Sequence, residues 1–221
     1  GPGGVALILT EANRIYGLGP DGPRPLLDES TGSRPLASYD TAVEISGVIL
    51  YLGADGALIH DPQKRTYRTI DKQAVPPMLL AVRGPLKATG KILWVAQNNR
   101  LAAFTVETSA AQPVTIEAAT PAVIAMPLRS IAAGNSDTAI VVDNTGQPFQ
   151  ASVDNRNPQS PSVTLTPVLG NRPSRAPGDL LDAAFDAQGV IMAAGPRSQA
   201  SLWTYRPADR DWTGPWHTGL G

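Results

Sequence analysis

Short apolar bursts alternate with polar turns along the whole chain. Five stretches share one layout: ALILT-EAN-RIYGL, ILYLG-ADG-ALIHD, ILWVA-QNN-RLAAF, AIVVD-NTG-QPFQA and DAAFD-AQG-VIMAA. Each has four or five apolar-rich residues, two or three turn formers, and a second apolar-rich segment. Runs of that length, bounded by Asn, Asp and Gly, predict β-hairpins. Asn-Asn, Asp-Gly and Asn-Thr-Gly tolerate the positive φ that tight hairpin turns need. The longest apolar candidates, Ile45 to Leu52 and Ala139 to Val142, are strand-sized. Spanning a bilayer takes roughly 18 residues, so no membrane insertion is expected.

The turn centres fall near Asn13, Asp55, Asn99, Thr145 and Ala187, at spacings of 42, 44, 46 and 42 residues. A multi-strand repeat of this period predicts an all-β fold, a small β-propeller of about five four-stranded blades. The repeats run roughly over 5–36, 37–75, 76–118, 119–169 and 179–221, as a single domain over 1–221. Strands are expected at Tyr39 to Ile45, Val48 to Leu52, Ala57 to His60 and Thr66 to Ile70 in the second repeat. In the third they are expected at Met78 to Val82, Lys91 to Val95, Leu101 to Val106 and Val114 to Ile116. In the fourth they are expected at Ala122 to Met126, Thr138 to Val142, Phe149 to Val153 and Val163 to Val168. A blade is apolar on both faces and buries them only by stacking on its neighbours.

The last repeat has two readings. One keeps the hairpin at Asp186-Ala187-Gln188 and sends Trp212 to Thr218 back to pair in the first blade. The other makes Leu181 to Asp186 the inner strand, Val190 to Ala194 the next, and Ser201 to Tyr205 with Trp212 to His217 the outer hairpin. A β-sandwich also has many short strands but predicts no such repeat. A small α+β domain would need Leu180 to Met192 to be helical, and Gly189 interrupts that pattern.

The stretch from Ala183 to Gly221 carries Asp186, Gly189, Leu202, Trp203, Trp212, Gly214, Trp216, Leu220 and Gly221. This order of an Asp-x-x-Gly turn, a Leu-Trp strand, Trp-Thr-Gly-x-Trp and a Leu-Gly end resembles one repeat of the bacterial lectin-type propellers related to tachylectins. GADGALIHD in the second repeat resembles that family's middle turn, whereas repeats one, three and four lack the Trp pair. The resemblance implies a propeller and favours the second reading of the last repeat. It also implies carbohydrate binding and an extracytoplasmic setting in the periplasm, at the cell surface or secreted.

Composition agrees with many turns: Gly and Pro number 21 each, and hydrophobic residues make up 42%. Net charge is −1, so overall balance offers no basic face for phosphates and no nucleic acid is expected as partner. One local basic patch, Arg156, Arg172, Arg175 and Arg197, lies in the last third and reads as solvated surface. There is no Cys, which excludes disulfides and thiolate metal sites. Gly1 to Gly4 lacks the basic start of a signal peptide, and the opening Gly-Pro reads as the scar of a removed tag.

Candidate chemistry is sparse. His60 and His217 are the only histidines; each reads as a surface residue rather than a catalyst, and no metal site is expected. Glycosidase propellers use paired carboxylates, for which Asp40, Glu44, Asp137, Asp143, Asp182 and Asp186 are candidates. None lies in a recognisable motif, and no nucleophile elbow, phosphate loop, dinucleotide fingerprint or calcium loop is present. No cofactor is expected. Three of the four Trp fall in the last repeat, so Trp203, Trp212 and Trp216, with Tyr205, are candidate ligand-binding residues. The competing role for these aromatics is to fill a blade interface. Trp94, in KILWVAQ, reads as core. The Pro-rich connections Asn155 to Pro161 and Leu169 to Gly178 are the largest candidate contact loops. The reading is a non-enzymatic scaffold with a protein partner, against a lectin or a glycoside hydrolase.

Overall fold

The computed structural model describes residues 6–9, 15–19, 22–25, 39–64, 66–97, 99–108, 115–133, 138–157, 159–170, 180, 182–185, 191–194 and 201–217. They form five antiparallel sheets in chain order. The first sheet has three strands: β1 (Ala6–Leu9), β2 (Ile15–Gly19) and β3 (Gly22–Pro25). The second is β4 (Thr41–Ile45), β5 (Val48–Gly53), β6 (Gly56–Asp61) and β7 (Thr66–Asp71). The third orders β8 (Leu86–Thr89), β9 (Ile92–Gln97), β10 (Arg100–Glu107) and β11 (Thr115–Ala118), with β12 (Ala122–Val123) added along β10. The fourth is β13 (Leu128–Ala133), β14 (Thr138–Asp143), β15 (Pro148–Asp154) and β16 (Ser162–Pro167). The fifth is β17 (Asp182–Phe185), β18 (Ile191–Ala194), β19 (Ser201–Arg206) and β20 (Asp211–His217).

Turn chemistry sets these hairpins. Asn99 takes φ +57 between β9 and β10, and Gly56 and Gly146 supply positive φ after Asp55 and in the Asn-Thr-Gly turn. The run from Ile45 to Leu52 is not one strand. Ser46 and Gly47 both take positive φ and fold it into the β4–β5 hairpin, with Ile45 opposite Val48. The last repeat follows its second reading, since β17 pairs with β18 and β20 pairs with β19. Its expected hairpin at Asp186, which lies outside the described residues, thus falls between the first and second strands, whereas Asp55, Asn99 and Thr145 join the second and third.

Two expected strands are corrected. Met78 to Val82 is not a strand: a 3-10 turn (Lys72–Ala74) and a one-turn helix, α1 (Pro77–Leu80), occupy this connection. Pro77 lacks the N–H a ladder needs and has the φ a helix start prefers, and Leu79 is buried. The third sheet instead begins at Leu86. Ala122 to Met126 does not open the fourth sheet either. β11 pairs with only part of β10, and β12 continues that edge, with Ala122 opposite Leu101 and Val123 opposite Arg100. The fourth sheet opens at Leu128, after Pro127.

Contacts divide the chain into two compact units, Gly1–Arg83 with Thr105–Glu117 and Gly84–Phe104 with Ala118–Gly221. In the first unit, Tyr39, Ile49, Tyr51 and Leu58 form a buried cluster on one face of the second sheet, and α1 lies against β5. Every residue of β5 is buried, as expected for a strand covered on both faces. In the second unit, Ile92, Trp94, Leu101 and Ala103 of the third sheet pack with Ile131, Ala139, Val141, Ala151 and Val163 of the fourth. Trp94 is fully buried. The opposite face of the fourth sheet, through Ala132, Ile140 and Val142, packs on Ala183, Tyr205 and Trp212 of the fifth. Two-residue alternation along each strand places these residues on opposite faces.

Candidate functional site

The four aromatics of the last repeat divide between two faces of one sheet. Tyr205 and Trp212 are directly opposite on β19 and β20, with ring centroids 5.0 Å apart and tilted 48°. Both are buried in the cluster shared with the fourth sheet, Trp212 to 4% exposure, and Trp203 packs partly buried against that cluster. Simple alternation would put Trp216 on the same face as Trp212. The ladder shifts instead between Leu202 and Thr204, so that Gly214 and Pro215 bulge opposite one residue. Gly214 takes φ +146, and a Cβ there would lie 3.0 Å from both the Leu202 carbonyl oxygen and the Trp203 ring. The bulge pairs Trp216 with Leu202 on the other face, where it is 54% exposed. Trp-Thr-Gly-Pro-Trp thus holds one interface aromatic and one surface aromatic. The side chain of His217 lies outside the described residues.

A second surface arises from the connection Thr120 to Pro127 in the second unit. These eight residues carry no charge. Their backbone is pinned repeatedly: Thr120 N–H donates to the Pro161 carbonyl (2.8 Å), Val163 N–H to the Thr120 carbonyl (2.9 Å) and Ile124 N–H to the Asn99 carbonyl (2.8 Å). Asn144 N–H donates to the Pro127 carbonyl at 2.9 Å. Ile124 is buried as an anchor, while Val123 is 78% and Met126 43% exposed. Asn144 belongs to the β14–β15 turn, and Leu169, half exposed, lies by the far end of that turn, because Val168 N–H donates to the Pro148 carbonyl at 3.0 Å. Large apolar side chains on a backbone held this firmly mark a contact surface more than a floppy loop. The sequence carries the signal, an uncharged octapeptide from Thr120 to Pro127, although its apolar stretch Ala122 to Met126 by itself predicts a strand.

The turn between β14 and β15 is locked by Asp143. Its Oδ1 accepts from Thr145 N–H (2.9 Å), Thr145 Oγ1–H (2.6 Å) and Gln147 N–H (2.9 Å). Arg129, at the start of β13, donates to the Asn144 carbonyl at 2.7 Å and the Leu180 carbonyl at 3.0 Å. Replacing Asp143 by Ala is expected to cost about 2 kcal/mol, since three donors lose a charged acceptor. Urea denaturation compared with wild type measures it.

Among the other carboxylates, Asp40 and Asp182 are exposed, Glu44 is half-buried on β4, and Asp182 accepts from Ala183 N–H at 2.8 Å. Asp137 and Asp186 lie outside the described residues. In the basic patch, Arg156 donates through Nε to both carboxylate oxygens of Asp154 at 2.9 and 3.0 Å. This pairing holds the Asp154 carboxyl down at about 2. Arg172, Arg175 and Arg197 lie outside the described residues, as does 171–178 of the second Pro-rich connection. In the first Pro-rich connection residues 155–157 and 159–160 are exposed and Pro161 is half-buried, with local bonds among them such as Ser160 N–H to the Asn157 carbonyl at 3.0 Å. Among the described residues no group of three His, Cys, Asp or Glu could hold a metal ion. No helix among them is long and apolar enough to cross a membrane.

His60 is not a surface residue. It is buried on β6, opposite Ile49 and Tyr67, with its ring stacked on Tyr67 at 4.5 Å and 13°. Burial pushes its pKa below the ordinary histidine value, and the neighbouring Asp61 carboxylate partly offsets this. A lowered folded-state pKa means the neutral form stabilises the fold. That contribution is complete above about pH 6.5 and declines as pH falls through the folded-state value. Stability of wild type is expected to drop between pH 7.5 and 5, with a smaller drop for His60→Phe, measured by chemical denaturation.

No protein-family model matches the sequence, and comparison with the curated proteins finds no relative. Solved structures do match. Prp20p from Saccharomyces cerevisiae aligns over 96% of this chain and 59% of its own, with TM-score 0.54 and 11% identity. The dihydro-heme d1 dehydrogenase NirN, in complex with DHE, aligns over 97% of this chain and 44% of its own, with TM-score 0.51 and 11% identity. The fold is a β-propeller. Sqt1 from Chaetomium thermophilum, bound to the N-terminus of ribosomal protein L10, aligns over 72% of this chain and 42% of its own at TM-score 0.47 and 15% identity. The chain thus spans less than two thirds of the length of each of these propellers. At such identities the likeness concerns the fold, and the tachylectin type is not singled out among propellers.

Proposed function

We propose that this propeller is a non-enzymatic protein-interaction module that docks its partner on the connection Thr120–Pro127. The observation that carries the reading is Val123 and Met126, exposed on a backbone fixed by hydrogen bonds at both ends. Apolar side chains carried on a fixed backbone bury area on contact without the further cost of ordering the main chain. Prp20p, a propeller of the same fold, is described for its binding to Gsp1p and histones, which supports the class of activity and no particular partner. Affinity capture with wild type and with Val123→Ser/Met126→Ser tests the reading. Proteins retained by wild type are expected to bind the double variant at least about tenfold more weakly. Equal capture by both would end it.

A second reading, sugar binding, rests on Trp216. A half-exposed indole on the outer strand of the last sheet can stack on the C–H face of a sugar. A glycan array read with wild type and Trp216→Ala decides it: binding to a sugar must appear and must vanish with the indole.

A further inference from the structure

The charges around the Thr120–Pro127 strip restrict what can sit on it. Val123 pairs in register with Arg100, so the two side chains project side by side from one face of the sheet. Arg100 is exposed at the tip of the β9–β10 hairpin. At the far end of the strip, two residues beyond Pro127, Arg129 is also exposed. Its guanidinium is aimed by two carbonyls, Asn144 and Leu180. Carbonyl acceptors orient a guanidinium without neutralising it, and two of its five donors are used in this way. The strip contains no carboxylate, and the one in the bordering turn, Asp143, is buried with its Oδ1 committed to three donors. Val123 and Met126 are therefore bracketed by two cations with no described acid between them.

We propose that the occupant is a peptide segment of a protein partner in which apolar residues are flanked by acidic ones. The apolar side chains cover Val123 and Met126, and carboxylates face Arg100 and Arg129, with bidentate pairing open to the exposed Arg100 fork. This deepens the interaction reading above and rests on it. Charge pairing at the rim adds mostly association rate and salt sensitivity, while the apolar pair carries affinity.

A random dodecapeptide library displayed on phage, selected against the whole chain, supplies the probe. The strongest peptides are then measured by fluorescence anisotropy at two salt concentrations. The proposal expects acidic-apolar peptides whose binding weakens at least about tenfold in Val123→Ser/Met126→Ser, about fivefold or more in Arg100→Glu, and on raising salt. Circular dichroism confirms that each variant folds, and Arg100→Lys, which keeps the charge, should retain most binding. Peptides lost with the Ser pair but indifferent to Arg100→Glu and to salt overturn the acidic partner and leave the interaction reading standing. Peptides that ignore the Ser pair, or a selection that yields none, overturn both. Two other outcomes also overturn the acidic peptide: binding to phosphatidylserine vesicles that depends on the same residues, or concentration-dependent dimerisation abolished by the Ser pair.

Discussion

Trp212→Ala is expected to lower the stability of the protein by about 3–5 kcal/mol, the usual cost of truncating a large buried aromatic. Trp212 joins the outer strand of the last sheet to Val142 and Ala132 of the preceding one, with Val168 and Leu180 closing the cluster. Its ring also meets the chain at Gly170, where a Cβ would come within 2.9 Å of the indole. Removing the indole therefore opens a cavity bounded by two sheets and a connection, none of which can close over it without breaking its ladder. Collapse is restricted, which favours the upper part of that range. The comparison that gives this meaning is Trp216→Ala, four residues along the same strand. Trp216 is more than half exposed, and its loss should change stability by less than about 0.5 kcal/mol. Thermal melts of the two variants should differ by roughly 6 to 20 °C, from about 2–4 °C per kcal/mol for a chain of this size. Equal melting points would mean that the interface between these two sheets is not as described.

Gly84→Ala should be nearly as damaging for a different reason. Gly84 leads into β8, where Ala96 N–H donates to the Pro85 carbonyl at 3.0 Å. A Cβ at Gly84 would collide with the Ala96 carbonyl oxygen, which is backbone and cannot rotate away. Its φ is not in the left-handed region, so the objection is purely steric. Either β8 detaches from β9 or β9 shifts, and β9 carries the fully buried Trp94. A loss of about 3 kcal/mol or more is expected, at or beyond the upper end of ordinary overpacking. Gly47→Ala is the control. Gly47 takes φ +79 with nothing within 4 Å of a Cβ, so its cost is conformational alone, about 1–2 kcal/mol. Urea midpoints for the two variants separate clash from backbone strain. Similar losses would show that the β8 entry relaxes.

Much of the architecture was legible in the sequence because hairpins are local. Asp55-Gly56, Asn98-Asn99 and Asn144-Thr145-Gly146 each name a turn and so fix the pair of strands beside it. Errors arose where a strand had to be found by what it pairs with. Met78 to Val82 is apolar enough for a strand, but Pro76 and Pro77 turn it into helix. Ala122 to Met126 is apolar too, yet it extends an edge of the third sheet, burying Ile124 and leaving Val123 and Met126 in solvent. Apolarity alone cannot separate a core strand from an exposed contact strip. The candidate aromatics show the same division. Four were visible together in the last repeat, but the side of the sheet each occupies depends on a bulge at Gly214 and Pro215.

From its own order of residues, then, the chain determines an all-β repeat, its hairpins and their period, because turn geometry depends on a few adjacent dihedral angles. Which aromatic is buried, which connection is left apolar in solvent, and that Arg100 stands beside it were decided by tertiary structure alone. Those features depend on register and on packing between sheets, where one inserted residue sends a side chain to the opposite face.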